Sequence, residues 1–372
     1  MNASLCPLLR TPLQLALLLL TTVLLSACDH SDPGQLAPCE PFDGLTPICG
    51  FQAPEDLALL PDGSGILVSE YGHMGASEGQ LSMLNLDDYQ RRELYSSQSS
   101  NDLRARNPIW GEATCTEPKT FSPHGIDLAQ RASGRWQLLV VNHGSRESVE
   151  MFELLKDDAG AWQTLWRGCV EIEDDSLIND VAAIDGGFVT TRMMPRKLGF
   201  GTYLDYFLGR DTGHLMQWQL ERGFSVIKNT GGTIPNGVVV EPDGPRAFIN
   251  NYGGDTLRVV NRNNGEVLHE LDILSADNSV WDPAQPNKLL VASHDASLAK
   301  MQGCSSHPHE NCPAPFAIVE LDTDDYSQRT LFQTEGEYYG AGTAALRVGD
   351  KLFIGSFSGE RILVAPIGYG VE

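Results

Sequence analysis

Six stretches of this chain share one layout: a polar opening, an alternating apolar run, a short Asp/Gly/Pro turn and a second apolar run. They are EDLALLPDGSGILVSE from Glu55, PHGIDLAQRASGRWQLLVVNH around His124 and INDVAAIDGGFVTT around Asn179. PNGVVVEPDGPRAFINNY around Asn236, DNSVWDPAQPNKLLVASH from Asp277 and GTAALRVGDKLFIGSF from Gly342 complete the set. Each reads as a β-hairpin, with period-2 apolar residues on both sides of a turn signal. One hairpin repeated six times predicts an all-β fold, a six-bladed β-propeller, in which radial repetition protects the sheet edges. The innermost strands of such a fold start beside a central channel. Glu55, Asn179, Asn236, Asp277 and Asn278 are therefore predicted to meet there. A ring of carboxylate and amide oxygens suits a hard cation such as Ca²⁺.

The ends and the spacing set the domain plan. Arg10, an apolar run and the small-residue site Leu25-Ser26-Ala27-Cys28 read as a secretory leader over residues 1–27. LSAC is similar to a bacterial lipobox, which makes Cys28 the expected lipidated first residue. An ordinary signal peptide or an uncleaved anchor is the plainer alternative. The lipobox reading places the protein in a bacterial cell envelope, facing the periplasm or the exterior, with the lipid as its only membrane contact. Residues 28–50 are rich in Pro, Asp and Gly and read as a tether, leaving 51–372 for the propeller. Successive openings at Glu55, His124, Asn179, Asn236, Asn278 and Thr343 lie 42 to 69 residues apart. A plain blade needs only about 40–45. The excess points to loop insertions at 72–120, 192–216 and 295–315, and the Met- and aromatic-rich middle one reads as an apolar lip at the channel mouth. Packing between blades is the simpler account of those aromatics.

The formal net charge of −23 argues against nucleic acid as a partner, because phosphates are repelled. A small-molecule substrate is the expected partner. Cys39, Cys49, Cys115, Cys169, Cys304 and Cys312 form an even set in an exported chain, which suggests disulfides. Cys39 with Cys49 and Cys304 with Cys312 are near in sequence, which leaves Cys115 with Cys169, although sequence alone leaves the connectivity open. Zinc is the weaker reading: there is no CxxC, and only His307 and His309 stand beside Cys304 and Cys312.

Glu55-Asp56, Asn179-Asp180 and Asp277-Asn278 are adjacent polar pairs at strand starts. Strand alternation lets one member face the channel while the other points away or deeper. Asn and Asp also cap turns, so one pair would mean little. Three pairs in phase point to metal binding. A cation with an open position polarises a carbonyl and steadies an oxyanion. His124 opens the second inner strand and His143 closes the hairpin after it; the two are expected to meet as a dyad that activates water. No GxSxG, HExxH, P-loop or dinucleotide fingerprint is present.

From about Pro54 to Ile367 the chain resembles the paraoxonase/arylesterase family of calcium-dependent six-bladed lactonases. The carriers are EDLALLPDG, FSPHGI, LLVVNHGSRESVEMFEL, LINDVAAI, PNGVVVEPDG, DNSVWDP and KLFIGS, and the most specific is FSPHGI followed by VVNH and VEMFEL. The resemblance implies two calcium ions. A catalytic one would be held by Glu55, Asn179, Asn236, Asp277 and Asn278, and a structural one by Asp56, Asp180 and the backbone carbonyl of Ile126. It further implies an active-site His124, a second histidine at His143, a pocket histidine at His294, and hydrolysis of lactones or aryl esters. Asp127-Leu128 departs from the Ser-Thr that commonly follows PHGI in animal members. No Cys follows Cys312, so ring closure is expected to rest on strand pairing or a different bridge. A gluconolactonase/strictosidine-synthase type of propeller and a non-catalytic binding lipoprotein are the rival readings.

Overall fold

The computed structural model describes residues 38–99, 109–172, 175–307 and 309–371. The leader, the lipidation residue Cys28 and the first part of the tether lie outside them. No helix among the described residues is long and apolar enough to cross a membrane.

Six antiparallel sheets stand side by side, and the first strand of each begins with one of the predicted polar openings. Blade 1 runs Pro54–Leu59, Gly65–Glu70, Gln80–Asn85, Arg91–Tyr95. Blade 2 runs Pro123–Gln130, Trp136–Asn142, Ser148–Lys156, Trp162–Glu171, with Trp110–Gly111 added in parallel at its edge. Blade 3 is Ser176–Ile184, Gly187–Pro195, His214–Gln219, Gly223–Val226, and blade 4 is Pro235–Val240, Arg246–Asn251, Thr256–Asn261, Glu266–Asp272. Blade 5 is Ala276–Trp281, Lys288–His294, Phe316–Asp322, Gln328–Thr334. Blade 6 combines Gly342–Val348, Lys351–Ser356 and Arg361–Pro366 with Thr46–Cys49 from the other end of the chain.

That last pairing moves the expected boundary. The end of the 28–50 tether is the outermost strand of blade 6, with Ile48 buried against Ile362 and Phe353. Four residues after a Pro/Asp/Gly stretch carry too little period to be read as a strand, but pairing with Arg361–Pro366 satisfies their backbone. Closure of the ring thus rests on strand pairing, and the Cys39–Cys49 disulfide ties the end of that strand to the segment before it. Cys115–Cys169 and Cys304–Cys312 complete the pairing, so those sulfurs are not available to zinc.

The apolar runs explain how the blades stack. Leu138 and Val140 face blade 1, whereas Leu139 and Val141, one step along, face blade 3. A strand buried on both faces must be apolar at successive positions, and Leu138, Leu139, Val140 and Val141 of this one are. One such apolar cluster fills each of the six blade interfaces. The outer strands are half exposed, and this is why RRELY and EVLHELD escape a hydrophobic reading. Two outer strands of blade 1 accordingly lie within 72–120, which the sequence presents as a loop insertion.

The turns from first to second strand are short and all lie on one face. The longer connections lie on the opposite face, where the inner strands start. There, helix α1 (Phe200–Phe207) and helix α2 (Leu298–Ser305) sit in the second and third insertions. The lip narrows to 196–213, since Gly187–Pro195 and His214–Gln219 are blade strands. Phe200 and Phe207 on α1 are 83% and 76% exposed, so these rings do not pack between blades.

Candidate metal centre and active site

Every inner strand is irregular at the same place. Register shifts fall at Glu55, at His124-Gly125, at Asn179-Asp180, at Asn236-Gly237, at Asp277-Asn278 and at Thr343. In each case the inner strand carries one residue more than its partner, which is a β-bulge. The bulge replaces the simple alternation expected within the polar pairs. It interrupts the pleat where two consecutive side chains, such as Asn179 and Asp180, are both buried at the axis. The glycines after His124 and Asn236 permit close approach of neighbouring strands. A Cβ on Gly125 would lie 2.4 Å from Asp180 Oδ1, and one on Gly237 would lie 2.5 Å from the Asp277 carbonyl oxygen.

The upper ring consists of Glu55, Asn179, Asn236, Asp277 and Asn278, all buried. Asn278 Nδ2 donates to Glu55 Oε1 at 2.7 Å, Asn179 Nδ2 reaches Met193 Sδ at 3.7 Å, and the Asn236 side chain hydrogen-bonds Asp277. The oxygens are treated differently. Glu55 Oε2 and the Oδ1 atoms of Asn179, Asn236 and Asn278 are buried with no hydrogen-bond partner. Buried polar atoms are rarely left so, and each costs about 1–3 kcal/mol unless something binds it. Backbone supports hold the ring from behind: Thr343 Oγ1 donates to the Glu55 carbonyl and Thr191 Oγ1 to the Asn236 carbonyl, both at 2.5 Å.

Asp56 and Asp180 form a second layer. Asp56 accepts from the N–H groups of Ile126 and Leu57, each within 2.8 Å, and Asp180 from those of Val238 and Val181, each at 2.7 Å. Burial, then the charge of Glu55, pushes the Asp56 carboxyl well above the usual range. Burial, then Asp56, does the same to Asp180, and burial, then Glu55, to Asp277. None of Glu55, Asp56, Asp180 and Asp277 pairs with a Lys or Arg among the described residues. Four buried carboxylates without such a partner require protons or a bound cation.

This chemistry fits hard cations: free carboxylate and amide oxygens with uncompensated negative charge, while the nearby Met193 sulfur is engaged by Asn179 Nδ2. No group of three or more His, Cys, Asp and Glu with metal-holding geometry occurs among the described residues, because most free donors here are amide oxygens.

The predicted dyad is formed. His124 Nδ1 and His143 Nε2 are 2.9 Å apart, and His124 Nε2 lies 3.6 Å from Glu55 Oε1. Burial lowers the His143 pKa, opposed by Glu147. Tyr71 packs its ring 4.5 Å from that of His124. His294 is fully committed: Nε2 meets the Gly342 carbonyl at 2.9 Å, Nδ1 meets Tyr252 Oη at 3.1 Å, and Asp277 Oδ2 is 3.7 Å away. Burial lowers its pKa to about 4, so near neutral pH it stands beside Asp277 as a neutral ring that bonds Gly342 and Tyr252 rather than the carboxylate.

Glu147 and Tyr71 were not identified from the sequence. Glu147 sits in GSRES beside Arg146 and looks like a solvated surface charge, yet it is buried and within 3.1 Å of His143 Nδ1. The only signal for it is its spacing of four after His143. A cavity of about 1320 Å³ opens on the opposite face of the propeller and reaches Asp56, Ile126 and Asp180 but not His124.

The family model described as Arylesterase matches residues 53–363. No curated protein matches the chain. Among solved structures, similarity is found to a gluconolactonase from Xanthomonas campestris, at 14% identity, covering 90% of this chain and 95% of that one with a TM-score of 0.49. A calcium-binding regucalcin from Agrobacterium tumefaciens matches at 13% identity over 89% and 96% with a TM-score of 0.46. A luciferin-regenerating enzyme matches at 11% over 86% and 93% with a TM-score of 0.49. With the family model spanning blades 1 to 6, the chain belongs to the arylesterase family.

Proposed function

We propose that this protein is a calcium-dependent hydrolase of lactones and aryl esters. The observation that carries the reading is the convergence of four partnerless buried oxygens with a histidine pair whose outer nitrogen faces Glu55. Glu55, Asn179, Asn236, Asp277 and Asn278 would hold the upper ion, and Asp56, Asp180 and the Ile126 carbonyl the lower one. Bound calcium supplies Lewis acidity to an ester carbonyl and charge stabilisation to its oxyanion.

The chain's own residues do the rest. His124 takes a proton from the attacking water at Nε2 while the water oxygen bonds to the carbonyl carbon. The same proton then passes to the leaving oxygen as the ring C–O bond breaks, giving a hydroxy acid. His143 holds the His124 ring through Nδ1, and Tyr71 packs beside its face. His294, held by Tyr252 and the Gly342 carbonyl, packs beside Asp277. The lipobox reading would tether this hydrolase to the bacterial envelope through Cys28; incorporation of labelled palmitate, lost in Cys28→Ala, tests that placement.

The deciding assay is hydrolysis of a panel of aliphatic lactones and phenyl acetate, with calcium and after chelation. Turnover that disappears on chelation and returns with calcium supports the reading. No turnover of any lactone or ester by calcium-replete protein sinks it and leaves a binding scaffold.

A further inference from the structure

Glu147 is buried at the first turn after blade 2's second strand. Its carboxylate meets His143 Nδ1 at 3.0 and 3.1 Å and accepts from the Ile178 N–H at 2.8 Å. Arg196, the first residue of the lip, places Nη1 3.6 Å from Glu147 Oε2 and donates through Nη2 to the His143 carbonyl at 3.5 Å. The chain of contacts therefore runs Arg196, Glu147, His143, His124, Glu55.

Hydrogen bookkeeping along this chain has one consistent solution for neutral rings. A carboxylate only accepts, so His143 Nδ1 carries the hydrogen. His143 Nε2 then holds a lone pair, and the single hydrogen between the rings belongs to His124 Nδ1. That leaves the lone pair of His124 at Nε2, facing the metal end of the tunnel. The opposite arrangement puts hydrogen on His124 Nε2, directed at Glu55, and turns a bare His143 Nδ1 toward Glu147. Distance decides between them: 3.0 Å at the Glu147 end is a hydrogen bond, and 3.6 Å at the Glu55 end is not.

We infer that Glu147 is a positioning residue that fixes the tautomers of both histidines, so that His124 presents a basic Nε2 to the reacting water. Arg196 anchors the carboxylate from the lip. The inference rests on the hydrolase reading for its kinetic consequence but not for the tautomers themselves.

The test is Glu147→Gln in the full chain. One amide oxygen still accepts from Ile178 N–H, while the amide N–H₂ can turn toward His143 and invert the chain. The expected result is a fall in kcat on the order of 10²–10⁴, the range for losing a correctly poised base, with KM within about threefold. Glu147→Asp, which keeps the charge, recovers part of that loss. Long-range ¹⁵N–¹H spectra of histidine-labelled protein, assigned with His124→Gln and His143→Gln, should show Nδ1–H tautomers at both sites in the unaltered chain and Nε2–H in Glu147→Gln. Undiminished kcat in a folded Glu147→Gln protein overturns the inference, and so does a kcat loss with unchanged tautomers. Should Glu147→Gln fail to fold, the unaltered chain decides: Nε2–H on His143 overturns the inference and Nδ1–H upholds it. If no ester is hydrolysed at all, the hydrolase reading falls while the spectra still judge Glu147.

Discussion

Calcium removal tests the buried-carboxylate argument without reference to turnover. In the cation-free chain, burial and mutual repulsion hold Asp56, Asp180 and Asp277 above the usual carboxylate range. The folded state then binds more protons than the unfolded state, so the stability of the chelated protein falls as pH rises through those raised values. Calcium ligands must be deprotonated, so the stabilisation by calcium grows over the same interval. Each ion at 100 times its Kd contributes about 2.7 kcal/mol. The propeller spans about 320 residues from Thr46 to Pro366, with an unfolding entropy of roughly 0.7 kcal/mol/K. Two ions therefore raise Tm by about 8 °C. Differential scanning calorimetry of chelator-stripped protein, with and without millimolar calcium at pH 5 and pH 8, should show a shift of that order at pH 8 and a smaller one at pH 5. No shift at pH 8, or a larger shift at pH 5, would refute the reasoning.

Two further outcomes follow from the geometry. His124→Gln should lower kcat by about 10²–10⁴ while leaving the calcium-induced Tm shift intact, because His124 is 3.6 Å from Glu55 and outside the upper ring; paired kinetics and calorimetry check both halves. Ile48→Ala should cost about 2–4 kcal/mol in urea unfolding, since Ile48 closes the ring against Ile362 and Phe353; a cost below about 0.5 kcal/mol would mean the closing strand contributes little to the fold.

The blades were legible because inner and second strands are buried on both faces, so runs such as WQLLVVN and KLLVASH stand out between Asp/Gly/Pro turns. The polar ring was legible for the complementary reason: Glu55, Asn179, Asn236 and Asp277 interrupt those runs at one phase. Half-exposed strands such as Arg91–Tyr95 carry no such contrast, and Thr46–Cys49 takes its strand character from a partner more than 300 residues away. Glu147 was hidden because burial of an isolated charge is decided by what surrounds it: the His143 ring, the Ile178 N–H and Arg196.

The bulges were the deepest loss. An extra residue leaves no mark in composition or period, yet it decides what the tunnel can hold. A regular strand would send Asn179 and Asp180 to opposite faces, and the axis would receive one side chain per blade. With the bulge, Asn179 leaves an amide oxygen partnerless in the upper ring, while Asp180 sits one level down with Asp56. The same step separates Glu55 from Asp56. Two stacked layers of oxygen donors thus arise at Glu55-Asp56 and Asn179-Asp180, while the bulge at Asp277-Asn278 leaves both side chains in the upper ring. The repeated bulge explains why the donors come as adjacent pairs in the sequence, and why glycine follows His124 and Asn236, where a pair is absent and neighbouring strands close in instead.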